Sequence, residues 1–392
     1  MATSRRSFLS AFGAGEYSSA FVAARGHEAA SAGAAAPEAA TDPTEIRIDS
    51  NENPLGPSKR AMEALFRAFE FAGRYPTNSR PSVADLRQAI ARKQSVQPDN
   101  VVLGAGSREL LRNAVRIYTS SARPLLTAAP SYEMPEKTAE QLGAAVKRVP
   151  IDAAGRLDLD KMAEAARGAG LVYICNPNNP TSTVLSAKAV ADFVARVRRE
   201  SPETAVLIDE AYHDYVTDPG YATAVPLALE QPNVFVTRTL SKAYGMAGLR
   251  VGYAVGQART IESLARWAMT FNQNSLSVAA AIAGLEDPAH IEAEKARNTE
   301  VRTVTTRFFE LAGYRPMASQ ANFLFVELKR PAKEFREACA RHKVLVGRDF
   351  PPLEKTHARV SLGTMDEMRR ATEVFAAVLG FEATNGFAPS QK

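Results

Sequence analysis

Apolar residues fall into two alternating patterns along most of the chain. Short continuous apolar runs at 101–103, 124–127, 144–150, 171–175, 204–208 and 234–237 read as strands. Between and around them, apolar positions three and four apart predict helices over 58–71, 82–93, 109–118, 159–166 and 187–199. Ser82 stands where a helix N-cap would. Strand and helix in turn predict an α/β fold with a largely parallel sheet, whose functional loops lie at the carboxyl ends of the strands. Further helices are expected over 257–271, 275–284 and 288–311. Beyond Gly313 the rhythm changes. Strands at 321–327, 344–346 and 358–362 with helices at 332–342 and 366–379 suggest a smaller α+β domain.

Composition narrows this only a little. The chain has 392 residues, 45% hydrophobic and 23% charged, with a net charge of +5, ordinary for a globular enzyme. No basic stripe interleaved with aromatics suggests a nucleic-acid groove. No apolar run is long enough for a transmembrane helix. Cys175 and Cys339 make no disulfide framework and lack metal-ligand spacing. Buried thiols are expected, with a single bridge between them left open. The first forty residues differ from the rest. Ser4–Leu9, with Arg5 and Arg6, resembles a twin-arginine export signal, but Glu16, Arg25, His27 and Glu28 interrupt the apolar segment behind it. Two readings stand: a cleaved leader of an exported protein, or a disordered tail on a cytoplasmic one.

The chemistry gathers at predicted strand ends. Lys242 follows Ser241 in a Gly-containing loop, with Arg250 eight residues on. Taken alone, a solvated loop lysine explains this as well as catalysis does. Gly104-Ala105-Gly106-Ser107-Arg108 links a strand to a helix, an arrangement that offers backbone N–H groups to a phosphate, though such glycines often serve geometry alone. Asn179 sits in a loop stiffened by Pro177 and Pro180, and Asp209 and Tyr212 follow another strand. One pyridine-type cofactor would use all of them. A carboxylate would keep the ring nitrogen protonated, an amide and a phenol would bind the ring oxygen, and a lysine would bond the carbonyl carbon and carry protons.

With these motifs in order, the chain resembles the fold-type I pyridoxal-phosphate-dependent aminotransferases, class I/II, most closely the histidinol-phosphate aminotransferase group. The resemblance spans 45–385. It rests on NENPLGP at 51–57, RYP at 74–76, GAGSREL at 104–110, PSY at 130–132, NPNNPT at 176–181, DEAY at 209–212, RTLSKAYGMAGLRVGY at 238–253 and RVSLG at 359–363. It implies a large domain with a mostly parallel seven-stranded sheet over 73–290 and a small domain over 291–385. The segment 41–72 would contribute to the small domain, with a leader or tail at 1–40 and a tail at 386–392.

The resemblance also implies roles. Lys242 is the Schiff-base lysine and proton carrier. Asp209 faces the ring nitrogen, Asn179 and Tyr212 the phenolic oxygen, and Tyr132 the ring face. Ala105, Gly106, Ser107 and Arg108 form the phosphate turn, with Ser241, Thr239 and Arg250 on the same phosphate. Tyr75 reaches the neighbouring subunit's phosphate in a homodimer. Arg359 grips the substrate carboxylate. Arg348 either meets a second anionic group or sits in a loop, and Asn53 either lines the substrate pocket or caps its own loop. No metal is implied. Ser182 stands where the family usually has glycine, and Met246 where it has leucine. The expected reaction is ping-pong transfer between a small amino donor, histidinol phosphate among them, and a 2-oxo acid. An aromatic or broad-specificity aminotransferase, a related decarboxylase or cyclase, and a non-catalytic cofactor-binding module are the alternatives.

Overall fold

The computed structural model describes residues 44–381. The leader expected at 1–40 and the tail at 386–392 lie outside them. The central feature is a seven-stranded sheet. Its strands are β2 (Val101–Ala105), β3 (Leu125–Ala129), β4 (Val146–Pro150), β5 (Leu171–Cys175), β6 (Ala205–Asp209), β7 (Val234–Thr239) and β8 (Val251–Gly256). They lie side by side in the order β2-β8-β7-β6-β5-β3-β4. β8 is antiparallel to both neighbours and the other pairings are parallel. The carboxyl ends of β2, β3, β5, β6 and β7 therefore share one edge, and β8 begins there.

Strand parity decides which side chain goes where. On β5, Val172 and Ile174 join one apolar cluster while Leu171, Tyr173 and Cys175 join the other. On β6, Val206 and Ile208 face the first and Ala205 and Leu207 the second. Both faces of the sheet are thus covered, which is why its strands read as continuous apolar runs rather than as alternating ones.

The C-terminal part builds smaller sheets. β9 (Arg315–Pro316), β10 (Phe323–Glu327) and β12 (His357–Ser361) form an antiparallel sheet in the order β12-β10-β9. β1 (Ile46–Ile48) pairs in parallel with β11 (Val344–Val346). A separate apolar cluster, from Ile46 and Ile48 to Phe335, Phe375 and Leu379, lies under these strands. The helix Lys59–Arg67 shares its Ala61 and Leu65 with the large-sheet cluster instead.

Several expectations need adjustment. The helix expected over 257–271 is Ala258–Ala265. Trp267, assigned to it, lies beyond its end, half-exposed beneath the Arg116 guanidinium at 5.3 Å. The helix over 58–71 stops at Arg67 and continues as a tighter turn through Phe71. Two helices escaped the pattern, Met134–Gln141 and Val225–Glu230; both are short, with proline in the first turn. Strand β8 also escaped, because Gly252 and Gly256 dilute its apolar run. Gly252 is there for contact: a Cβ on it would lie 2.3 Å from the Ser107 nitrogen. Both cysteines are buried free thiols, so no bridge joins them.

Candidate active site

At the shared edge of the large sheet lies a cavity of about 700 Å³. The strand ends deliver its wall in turn: Ala105 and Ser107 after β2, Tyr132 after β3, Cys175 and Asn179 after β5, Asp209 and Tyr212 after β6, and Thr239, Ser241 and Lys242 after β7. Arg250 enters from the start of β8, and Arg359 and Arg348 come from the C-terminal part.

Asp209 is the most deeply held charge. It is 2% exposed. The Tyr173 hydroxyl donates to its Oδ2 and the Thr237 hydroxyl to its Oδ1, each at 3.0 Å. Burial nonetheless outweighs these donors and pushes the carboxyl up to about 6. Lys242 is half-buried and donates from Nζ to the Ser50 carbonyl at 3.0 Å. Burial, followed by the positive Arg359, lowers its ammonium to about 8. The Nζ also stands 5.8 Å from the centre of the Tyr212 ring.

The Tyr212 hydroxyl is buried, which holds its proton more tightly than usual. It accepts from Asn51 Nδ2 at 3.0 Å and from Asn179 Nδ2 at 3.4 Å. Asn179 Oδ1 in turn accepts from Arg359 Nη1 at 3.0 Å. A second Arg359 bond goes to the Asp49 carbonyl, while its buried Nε has no partner. Burial lowers the Arg359 guanidinium to about 10, still charged at neutral pH.

Anion-binding groups meet at the other side. The helix Ser107–Tyr118 has no side-chain cap at Gly106, so first-turn N–H groups remain for an anion. Gly106 has φ +69°, and a Cβ there would strike the Arg250 guanidinium. Arg250 Nη1 donates to the Ser241 hydroxyl at 3.2 Å, and the Thr239 hydroxyl donates to the same oxygen at 2.9 Å.

Asn53 and Gly106 are not among the residues lining the cavity, and Tyr75, expected at a second subunit's site, lies outside this one. Asn53 ties its loop to the lysine loop: its Nδ2 donates to the Ala243 carbonyl at 3.0 Å, while its Oδ1 accepts from the Leu55 N–H of its own loop at 2.9 Å. Tyr75 is 65% exposed and stacks on Phe271 at 4.6 Å. Arg348 does line the cavity, ion-paired with Glu133 and lying over Phe350 at 4.1 Å. Sequence reasoning missed Asn51, which takes a left-handed conformation at φ 55° and is locked by Ser361. The signal was present, since asparagine tolerates that conformation better than most residues. It also missed Tyr173 and Thr237, whose place beside Asp209 depends on strand register.

A buried carboxylate facing a lysine of lowered basicity, with an anion cradle beside them, fits pyridoxal phosphate by donor chemistry. The free helix N-terminus, Ser241 and Arg250 suit its phosphate, and Asp209 suits its ring nitrogen. Fold and site thus define a pyridoxal-phosphate-dependent enzyme of fold type I. The chain belongs to the family described as "Aminotransferase class I and II", whose model matches residues 43–375. It is 37% identical over 336 residues, 86% of its length and 91% of the relative's, to a histidinol-phosphate aminotransferase of Symbiobacterium thermophilum. Among solved structures, histidinol-phosphate aminotransferase of Sinorhizobium meliloti in complex with pyridoxal-5'-phosphate superposes with a TM-score of 0.78 at 27% identity, over 86% of this chain and 91% of that one. L-threonine-O-3-phosphate decarboxylase of Porphyromonas gingivalis, at 20% identity and a TM-score of 0.70 over 85% and 98% of the two chains, shares the fold. The protein is a pyridoxal-phosphate-dependent aminotransferase acting on small molecules.

Proposed function

We propose that the amino donor carries a phosphate and that histidinol phosphate is its best representative, with a 2-oxo acid as acceptor. One observation carries this reading: two guanidiniums, Arg359 and Arg348, approach the same Phe350 ring at 4.8 and 4.1 Å. Paired arginines suit a doubly charged phosphate better than a lone carboxylate. The relatives' activity points the same way. Arg359 alone would serve for the carboxylate of the 2-oxo acid.

When bound, pyridoxal phosphate supplies a conjugated ring that accepts the electrons freed at the donor's carbon. The rest falls to side chains. Asp209 keeps a negative charge at the ring nitrogen. Asn179 and Tyr212 hold the ring oxygen, and Tyr132 covers the ring face. Ser241, Thr239, Arg250 and the Ala105–Arg108 turn anchor the phosphate. Lys242 Nζ, less basic than an exposed lysine, would take a proton from the donor's carbon and return it to the carbon that carried the cofactor's aldehyde, two atoms away across the donor's nitrogen. Tyr75, exposed beside Phe271, would serve a second subunit's site in a homodimer. We read 73–290 as the cofactor-binding domain and 291–385 as the smaller domain that brings Arg359 and Arg348.

The test compares donors with 2-oxoglutarate as acceptor. Histidinol phosphate should exceed phenylalanine in kcat/KM by about 100-fold, and Arg348→Ala should remove about 10- to 100-fold from the phosphorylated donor alone. Equal or better use of phenylalanine would sink this reading in favour of an aromatic or broad-specificity enzyme.

A further inference from the structure

We propose that Tyr173 and Thr237 are positioning residues that clamp the Asp209 carboxylate in its ionised, cavity-facing form. The inference rests on reading Asp209 as the group that faces the cofactor's ring nitrogen.

The clamp follows from register. Asp209 pairs with Cys175 on one side and Thr237 on the other. Parity puts Tyr173, Cys175, Asp209 and Thr237 on one face of the sheet. Thr237, directly opposite, reaches Oδ1 with a short side chain. Cys175, also directly opposite, turns its thiol to the Pro177 carbonyl at 3.3 Å and gives Asp209 nothing. The remaining oxygen is reached from a diagonal position, Tyr173, which is opposite Leu207. Diagonal neighbours lie about 7–8 Å away, within range only of long side chains. Tyrosine covers that distance and ends in a donor.

The surroundings make both donors matter. Tyr173 and Thr237 are fully buried, so water does not compete for Asp209 from their side. Glu210, just past the end of β6, and Arg238 of β7 point to the opposite face and pair there at 2.8 Å, so Arg238 is no substitute counter-charge. Two neutral hydroxyls are what the neighbouring strands supply to a carboxylate that burial drives toward its protonated form, beside the Ala211 backbone N–H that also favours the ionised state. Each hydroxyl occupies one oxygen and fixes the carboxylate plane. Tyr173 is itself buried beside a negative group, which holds its phenol proton firmly and keeps it a donor.

The test is cofactor affinity against pH, measured on apoprotein titrated with pyridoxal phosphate, alongside steady-state kinetics. Asp209→Asn sets the reference: if it leaves affinity and its pH dependence unchanged, the reading of Asp209 itself is wrong. If Asp209→Asn does impair binding, Tyr173→Phe should move the acid limb of the wild-type affinity profile up by about one to two pH units. Thr237→Val should do the same, while Thr237→Ser, which keeps a hydroxyl, should retain the wild-type limb. kcat should fall more than KM rises. A lowered Tm with an unmoved acid limb in both Tyr173→Phe and Thr237→Val would make the two residues mere packing and overturn the inference.

Discussion

The two walls of the cavity are built in opposite ways. On the sheet wall, Asp209 is 2% exposed and both its oxygens are taken by donors from neighbouring strands. On the mouth wall, Arg348 is 44% exposed at its side chain and its partner Glu133 also faces Lys137. The first wall is held by backbone pairing and cannot shift without breaking strands. The second is held by exposed ion pairs, which in water contribute only about 0–1 kcal/mol and exchange easily for a charged ligand. A transaminase needs both kinds. One cofactor stays throughout, whereas two different substrates must enter the same space in turn.

Lys242→Ala is expected to break the cofactor side most completely. Turnover should fall by at least about 10³–10⁴-fold in steady-state assays, with little change in thermal stability because the side chain is only half-buried. Retained turnover would remove the lysine from the chemistry. Arg359→Ala should cost about 10²–10³-fold in kcat/KM for both substrates. The loss should appear with every donor, unlike the selective effect expected at Arg348. That contrast separates a common anchor from a discriminating one.

A smaller effect concerns pH in the apoprotein. The Asp209 carboxyl sits at about 6 when folded, against about 3.9 in an unfolded chain. Over that interval the folded state holds the extra proton, so stability from this group is full below about 4 and is lost as pH rises through about 6. The loss is on the order of 3 kcal/mol. Denaturant unfolding of apo wild type and apo Asp209→Asn at pH 4 and pH 7 would show it as a gap in stability that changes between the two pH values. A gap that stays constant would place Asp209 in a more polar setting than the structure does.

How much of this was legible beforehand divides along the same line as the walls. Lys242, Asp209, Asn179 and Tyr212 could be grouped because each follows an apolar run read as a strand, strand ends in such folds share an edge, and the motifs around them resemble one family in order. The groups that tune them were not. Tyr173 looked like one more apolar strand residue, and its partner became visible only once β5 and β6 were aligned. Strand β8 was hidden by Gly252 and Gly256, yet it brings Arg250 to Ser241. Asn53 was chosen over Asn51 within one loop, and the difference between them is a single left-handed residue. At the mouth, the Arg348–Glu133 pair joins positions 215 residues apart, which no local pattern reveals.

The division of labour between the walls can be tested with Asp209→Asn, Arg348→Ala and the double variant. Each is measured for pyridoxal phosphate affinity and for the ratio of kcat/KM between histidinol phosphate and phenylalanine. The account predicts that Asp209→Asn lowers affinity without changing the ratio, that Arg348→Ala changes the ratio without lowering affinity, and that the double variant shows both effects additively. A donor ratio that collapses in Asp209→Asn, or cofactor affinity lost in Arg348→Ala, would contradict it.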